Sequence, residues 1–261
     1  RTAALLITSN VSELEAIVTI DQAMAKKSFL DEPIIVSTGD SNKAIDSSKN
    51  KLNGSLSIGG QEHYYLEGQV ALAIPTEDNE MVVHSSTQNP TEVQHLVAHV
   101  LDVPQNAIEV ITRRMGGGFG GKETDSSQLA CVCAIFAKQT KLPIKARLSR
   151  KDDMLLTGKR HDFKADYKVG YSDDGKILGI EIDLAARCGY SLDLSKAIVS
   201  RALFHADNTY FLPNATFRGF LCKTNTASNT AFRGFGGPQG MLAIENIIEE
   251  IAMNIGVDAL E

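Results

Sequence analysis

Residues 116–121 set five glycines around Phe119, and residues 234–237 repeat the device with three glycines around Phe235. Glycine loses more backbone freedom on folding than any other residue, so a plain connection gains nothing from such a run. A chain that keeps two of them must bring its backbone close to something at both places. The flanking patterns say where. The alternation Ile108, Val110, Thr112 before the first loop predicts a strand, and Leu129 to Lys138 after it predicts a buried helix. The second loop runs into a helix with Ile244, Ile247, Ile248 and Ile251 on one face. Strand ends that feed helix starts are where mixed folds place ligands.

Phosphate is the first ligand to weigh, because Gly116, Gly121 and Lys122 stand at the spacing of a nucleotide-binding P-loop. That motif needs a hydroxyl after the lysine to hold magnesium, and Glu123 stands there instead. A carboxylate would repel both metal-bound and free phosphates. The P-loop-like nucleotide-binding reading is therefore the weaker alternative.

The rest of the chain predicts an α+β fold of mixed, largely antiparallel sheets with packed helices. A helix is expected from Ile20 to Lys27 with Thr19 before it, and Gly68 to Ile74 should pair with Met81 to Ser85 as a hairpin. Val93, Leu96, Val97, Val100 and Leu101 recur at helical spacing, which puts Gln88 at that helix's entrance. A strand is expected at Ile144 to Leu148, a second hairpin from Phe163 to Tyr171 and Lys176 to Ala185, a helix from Ser195 to Leu203, and strands near Phe217 to Cys222. The polar stretch Asp40 to Asn53 reads as a linker. Residues 1–53 are then the tail of a preceding domain plus that linker, and 54–261 a second domain. The first residue is Arg1 and not Met, as expected of a chain cut from a longer one.

A net charge of −6 without a basic stripe argues against a nucleic-acid partner, and no apolar run reaches membrane-spanning length. Cys131, Cys133, Cys188 and Cys222 are spaced wrongly for a zinc or iron–sulfur framework and are expected as buried thiols, which fits a reducing cytoplasm. His95 and His99, at i and i+4, lack a third ligand and read as a solvated helical face. By physics alone the loops predict a polar, ring-containing ligand between two glycine walls, with Phe119 and Phe235 as flat surfaces.

Five stretches in order carry more: GGQEHYYLE (59–67), STQNP (86–90), RRMGGGFGGKET (113–124), RALFH (201–205) and NTAFRGFGGPQG (229–240). Together they resemble the first part of the molybdenum-cofactor domain of the xanthine dehydrogenase and aldehyde oxidase family. The resemblance implies a molybdenum–pterin cofactor here and 2Fe-2S and FAD in other domains or subunits. It implies hydroxylation of hypoxanthine and xanthine with oxygen from water, electrons passing to NAD, and a dimer or heterotetramer when complete.

By the same resemblance Gln88, Phe119, Gly120 and Arg233 are cofactor-binding and form the molybdenum environment, with no side chain as a direct metal ligand. Glu123, Arg201 and Phe235 are implied to bind the purine: Glu123 and Arg201 at its two polar edges, Phe235 stacked on it. Each has a plainer alternative, namely a helix-entrance glutamine, structural ion pairs for Arg233 and for Glu123 with Arg201, and ordinary core packing for Phe235. Gln61 and Glu62 are expected to support the site. The family's general-base glutamate is expected beyond Glu261, so the 261-residue chain alone is expected to be inactive. A related aldehyde oxidase is the other alternative, against which the resemblance sets the presence of both Glu123 and Arg201, because those enzymes carry apolar residues at these positions.

Overall fold

The computed structural model describes residues 10–260. Thr19 opens α1 (Ile20–Lys26) with a reciprocal cap, its hydroxyl accepting from Gln22 N–H while the Gln22 side chain accepts from Thr19 N–H. After it come β1 (Ile34–Thr38), α2 (Ser41–Ser47) and β2 (Asn50–Ile58). Next are β3 (Val70–Pro75), β4 (Met81–Ser85), α3 (Pro90–Leu101), β5 (Ile108–Ile111), α4 (Ser126–Thr140), β6 (Ile144–Arg147) and α5 (Arg150–Leu156). The chain ends with β7 (Phe163–Tyr171), β8 (Ile177–Gly189), α6 (Ser195–Phe204), β9 (Ala215–Lys223) and α7 (Gly237–Ile255).

The strands make two sheets, one ordered β1-β9-β8-β7-β2 and one ordered β5-β4-β3-β6. Both expected hairpins are present, β3 with β4 and β7 with β8. Only β4–β5 and β8–β9 are parallel pairs, and a helix lies within each of those connections, α3 and α6. Ile180, Ile182 and Leu184 of β8 pack with Ile198, Val199 and Leu203 of α6 and Ile244 and Ile247 of α7 in the larger core. A smaller core joins Ala71, Ala73 and Val83 to Val93 and Val97 of α3 and Ala130, Ala134 and Ala137 of α4.

Four elements, β1, α2, β2 and α5, depart from the sequence expectation. Asp40 to Asn53 is not a linker: Asp40 caps α2, and β2 pairs residue by residue with β7. Its polar residues Lys51, Asn53, Ser55 and Ser57 are the exposed half of an alternating strand. The boundary expected after residue 53 thus falls inside β2, and β1, before it, hydrogen-bonds to β9 in the same sheet. Helix α5, capped by Ser149, was not expected at all. Of the cysteines, Cys133, Cys188 and Cys222 are buried free thiols, whereas Cys131 is only partly covered. No helix of the described residues is long and apolar enough to cross a membrane.

Candidate functional site

Each sheet contributes one glycine loop, and the loops meet. The first joins β5 to α4 and the second precedes α7. Arg233 N–H donates to Phe119 O at 2.9 Å, which ties the two backbones together. A Cβ on Gly120 would stand 2.8 Å from the Ala231 carbonyl carbon, and Gly120 has φ of +102°, so only glycine allows this approach. Phe119 and Phe235 both hold positive φ, 56° and 51°. Non-glycine residues held in that region are uncommon and mark sites where surroundings override local preference.

Between the loops lies a cavity of ≈ 270 Å³. Gln88, Phe119, Gly120, Glu123, Arg233 and Phe235 all line it, together with Ala231, Phe232 and Gly234. Arg201 does not. It is exposed in the last turn of α6, where its carbonyl faces His205 Nδ1 at 2.9 Å, and its Nε lies 3.9 Å from where a Gly237 Cβ would be. No ion pair joins Glu123, Arg201 or Arg233 to a partner among the described residues. Phe235 is both packed against the larger core and part of the cavity wall.

The first wall is braced from beneath by a partly buried polar network. Gln88 Oε1 accepts from Gly120 N–H at 2.9 Å and Lys122 N–H at 3.3 Å, and Gln88 N–H donates to Lys122 O at 2.8 Å. The oxygen end of that amide is thus engaged, and its Nε2 is the end left to donate to a ligand. Lys122 is fully buried; its ammonium donates to Glu67 O at 2.7 Å and Ser86 Oγ at 2.8 Å and sits 4.7 Å above the Tyr65 ring. Burial lowers its pKa against the opposing pull of Glu67. Burial likewise works to raise the Glu67 carboxyl, but Gly116 N–H, Ser86 and Lys122 together hold it below its ordinary value. Gln69 Nε2 reaches Gly121 O at 2.9 Å, and Tyr65 donates to Asp153 Oδ1 at 2.7 Å. A lysine so committed is unavailable to a phosphate, which removes the main support for a P-loop.

The second wall leans on segments from elsewhere. His63 Nε2 donates to Ala231 O at 2.6 Å, and its ring stands 4.7 Å from that of Phe232. Arg160 covers Phe232 with its guanidinium 4.0 Å from the ring centre. Gln61 and Glu62 hold this support in place, Gln61 Oε1 accepting from Arg160 Nε at 2.6 Å and Glu62 pairing with Lys159 at 2.9 Å. Burial lowers the His63 pKa, against the opposing pull of the Ala231 carbonyl and the Glu62 charge.

Two carboxyls near the cavity are shifted the other way. Burial, then the charge of Asp193, raises the Glu123 pKa. Asp125 is pushed up to about 7, by burial first, although Gly158 N–H donates to its Oδ2 at 2.8 Å. His95 and His99 are exposed on α3, and His161 is buried against Ser195 Oγ at 2.7 Å with its pKa pushed down to about 3.

The sequence shows six of the nine lining residues and, of the supports, Gln61 and Glu62. The supporting roles of Lys122, His63, Arg160 and Asp125 are not apparent in it, since each acts through a partner distant in sequence. Among the described residues no group of three or more His, Cys, Asp or Glu could hold a metal ion. What the walls offer is a close-approach glycine backbone, an amide N–H donor, a guanidinium and a carboxyl group. That set suits an oxygen-rich group carrying its own metal ligands, with a polar ring beside it.

Residues 26–261 match the molybdopterin cofactor-binding domain family. The chain is 45% identical over 260 residues to a xanthine dehydrogenase/oxidase of Felis catus, covering 99% of this chain and 20% of that protein. It is 43% identical over 264 residues to a nicotinate hydroxylase of Emericella nidulans, again 99% of this chain and 20% of the relative. The chain thus spans about a fifth of the length of these relatives. Among solved structures, the aldehyde oxidoreductase of Desulfovibrio gigas superposes with a TM-score of 0.90 at 24% identity, covering 99% of this chain and 29% of that one. Quinoline 2-oxidoreductase of Pseudomonas putida 86 gives 0.87 at 21% identity, with 99% and 34% covered. At those identities the superpositions speak for the fold.

Proposed function

The chain belongs to the molybdopterin cofactor-binding domain family of the xanthine dehydrogenase type, and from that premise we propose that its parent protein hydroxylates a purine carbon, taking hypoxanthine to xanthine and xanthine to urate. The molybdenum–pterin group, when bound, supplies transfer of a water-derived oxygen and accepts two electrons. Those electrons leave through 2Fe-2S and FAD in other domains or subunits toward NAD, in a cytoplasmic dimer or heterotetramer.

The residues of this chain bind and orient. The Gln88 Nε2 would donate to the bound group, and Gly118, Phe119 and Gly120 would let that group approach the main chain. The Arg233 guanidinium, without a carboxylate partner among the described residues, would pair with the group's anionic oxygens. The observation that carries the purine reading is Glu123. It lines the same cavity as Gln88 and has no ion-pair partner among the described residues, so its carboxyl is available to hydrogen-bond a heterocycle's edge. Phe235 offers the stacking face. Arg201, exposed in the last turn of α6 beside Gly237, would supply the cation for the opposite edge.

A second reading, hydroxylation of a pyridine carboxylate, is favoured by the similar identity to the nicotinate hydroxylase. The two separate in one experiment on the full-length protein: kcat/KM for xanthine, nicotinate and an aromatic aldehyde, in the parent and in Glu123→Val with Arg201→Met. The double variant should lose about a hundredfold on xanthine, the size of one lost charge-stabilising donor, and far less on the aldehyde. Equal losses on both would mean that the pair holds the fold or the cofactor. A parent that prefers nicotinate would transfer the assignment to the second reading.

A further inference from the structure

We propose that Arg160 is a positioning residue for the second wall: its guanidinium sets the Phe232 ring and the Arg233 main chain, and so the aim of the Arg233 side chain into the cavity. Arg160 lies between α5 and β7, 9% exposed, outside the cavity lining. Its contacts all converge on the second loop or on what holds it. Nη2 donates to Arg233 O at 2.7 Å, Nε donates to Gln61 Oε1 at 2.6 Å, and the plane of the group lies over Phe232. On the ring's other contact is His63, so Phe232 is held between an imidazole and a guanidinium.

Its neighbours do the same work. Gly158 N–H bonds Asp125 at the end of the first loop, and Lys159 O accepts from Thr230 N–H at 3.0 Å at the start of the second. Residues 158–160 thus form a clasp touching both walls, and Arg160 is its contact with the part of the second wall that faces the cavity.

A purely structural role accounts poorly for this residue. Arg160 is a buried cation without a carboxylate partner among the described residues, and its Nη1 is buried with no hydrogen-bond partner. Burial pushes its pKa down, which marks the environment as unfavourable to charge. Filling space over Phe232 needs only an apolar side chain, at less cost. What an apolar side chain lacks is a planar fork that stacks on a ring while donating to a carbonyl in a fixed direction, and lysine lacks it as well. The retained cost is explained if the direction of Arg233 O, and with it the Arg233 N–H bond to Phe119 O, is what is being held.

This inference rests on the site assignment above, so the test carries one arm that does not. In the full-length protein, Arg160→Gln and Arg160→Lys are compared with the parent by amide hydrogen exchange and by xanthine kinetics with molybdenum content checked. Arg160→Gln should speed exchange across residues 230–235 about tenfold while leaving β8 unchanged, as local opening without global destabilisation does. It should lower kcat roughly tenfold or more with KM changed by less than about threefold, since misplacing a group by an ångström costs rate and not affinity. Arg160→Lys, which keeps the charge but not the planar fork, should speed exchange across 230–235 as Arg160→Gln does. Unchanged exchange in 230–235, or a loss of kcat that only tracks faster exchange in β8, overturns the proposal. If the parent turns over no purine or aldehyde, the functional reading fails and the exchange arm alone decides for or against Arg160.

Discussion

The two glycine loops look alike in sequence and are held in different ways. The first is fixed from within its own half of the molecule, by a hydrogen-bonded network in which buried Lys122 and Gln69 are joined to the more exposed Glu67 and Gln88. The second is fixed by borrowed groups, His63 and Arg160, and by close packing of α7 on α6. There a Gly240 Cβ would come within 2.1 Å of Ala202 O. Ordered networks of buried polar groups fail badly when one member is removed. Packed, multiply supported loops give way locally. The first wall should therefore report on global stability and the second on local order and rate.

Lys122→Met should show the largest effect. It strips Glu67 of its buried cation and leaves Glu67 O and Ser86 without their donor, at a cost of about 3–5 kcal/mol, read from urea unfolding of the chain. A loss under ~1 kcal/mol would mean that the network is not what holds the first wall. Next comes Gly120→Ala, where positive φ and a 2.8 Å approach to Ala231 combine; about 2 kcal/mol is expected. Gly59→Ala is its control, since nothing lies within 4 Å of the added Cβ and no cost should appear.

Asp125→Asn should be stabilising at neutral pH. The Asp125 pKa of about 7 in the folded chain lies above an ordinary carboxyl near 4, so between those values the folded chain keeps a proton that the unfolded chain has released. Stability from this group falls as pH rises through that window, and the penalty is complete above 7. The amide cannot ionise and its oxygen can still accept from Gly158, so the variant should gain about 2 kcal/mol at pH 8 and nothing at pH 4. His63 has the opposite sign. Its pKa is lowered by burial, so its contribution is present above the ordinary histidine pKa and is lost as pH falls below it. The smallest effect should be that of His95→Ala with His99→Ala, two exposed side chains: within about 0.5 kcal/mol of the parent by the same urea measurement.

The sequence carried the strongly periodic elements and the cavity lining. Helices α3, α4, α6 and α7 announce themselves by apolar spacing, and the lining by glycines set around an aromatic. Two strands before residue 59 were illegible: β1 is a five-residue edge strand, and β2 hides its inward Leu52, Leu56 and Ile58 among Asn, Ser and Lys. The supports of the site were illegible for a different reason. His63 meets Ala231 across 168 residues, Arg160 meets Arg233 across 73 and Lys122 meets Glu67 across 55. No local period encodes such pairings. Arg201 shows the converse limit, because a motif match gives a residue's role without giving its distance from the cavity.

The central claim is that the two loops are two walls of one cofactor site, with Gln88 as its free amide donor. The most direct measurement is an anomalous difference map at the molybdenum edge from crystals of the full-length protein. The account predicts one molybdenum peak in the cavity lined by Gln88, Phe119, Gly120 and Arg233, on the side of the Gln88 amide nitrogen. A molybdenum peak elsewhere, or one bonded to a side chain such as Cys131, would contradict it.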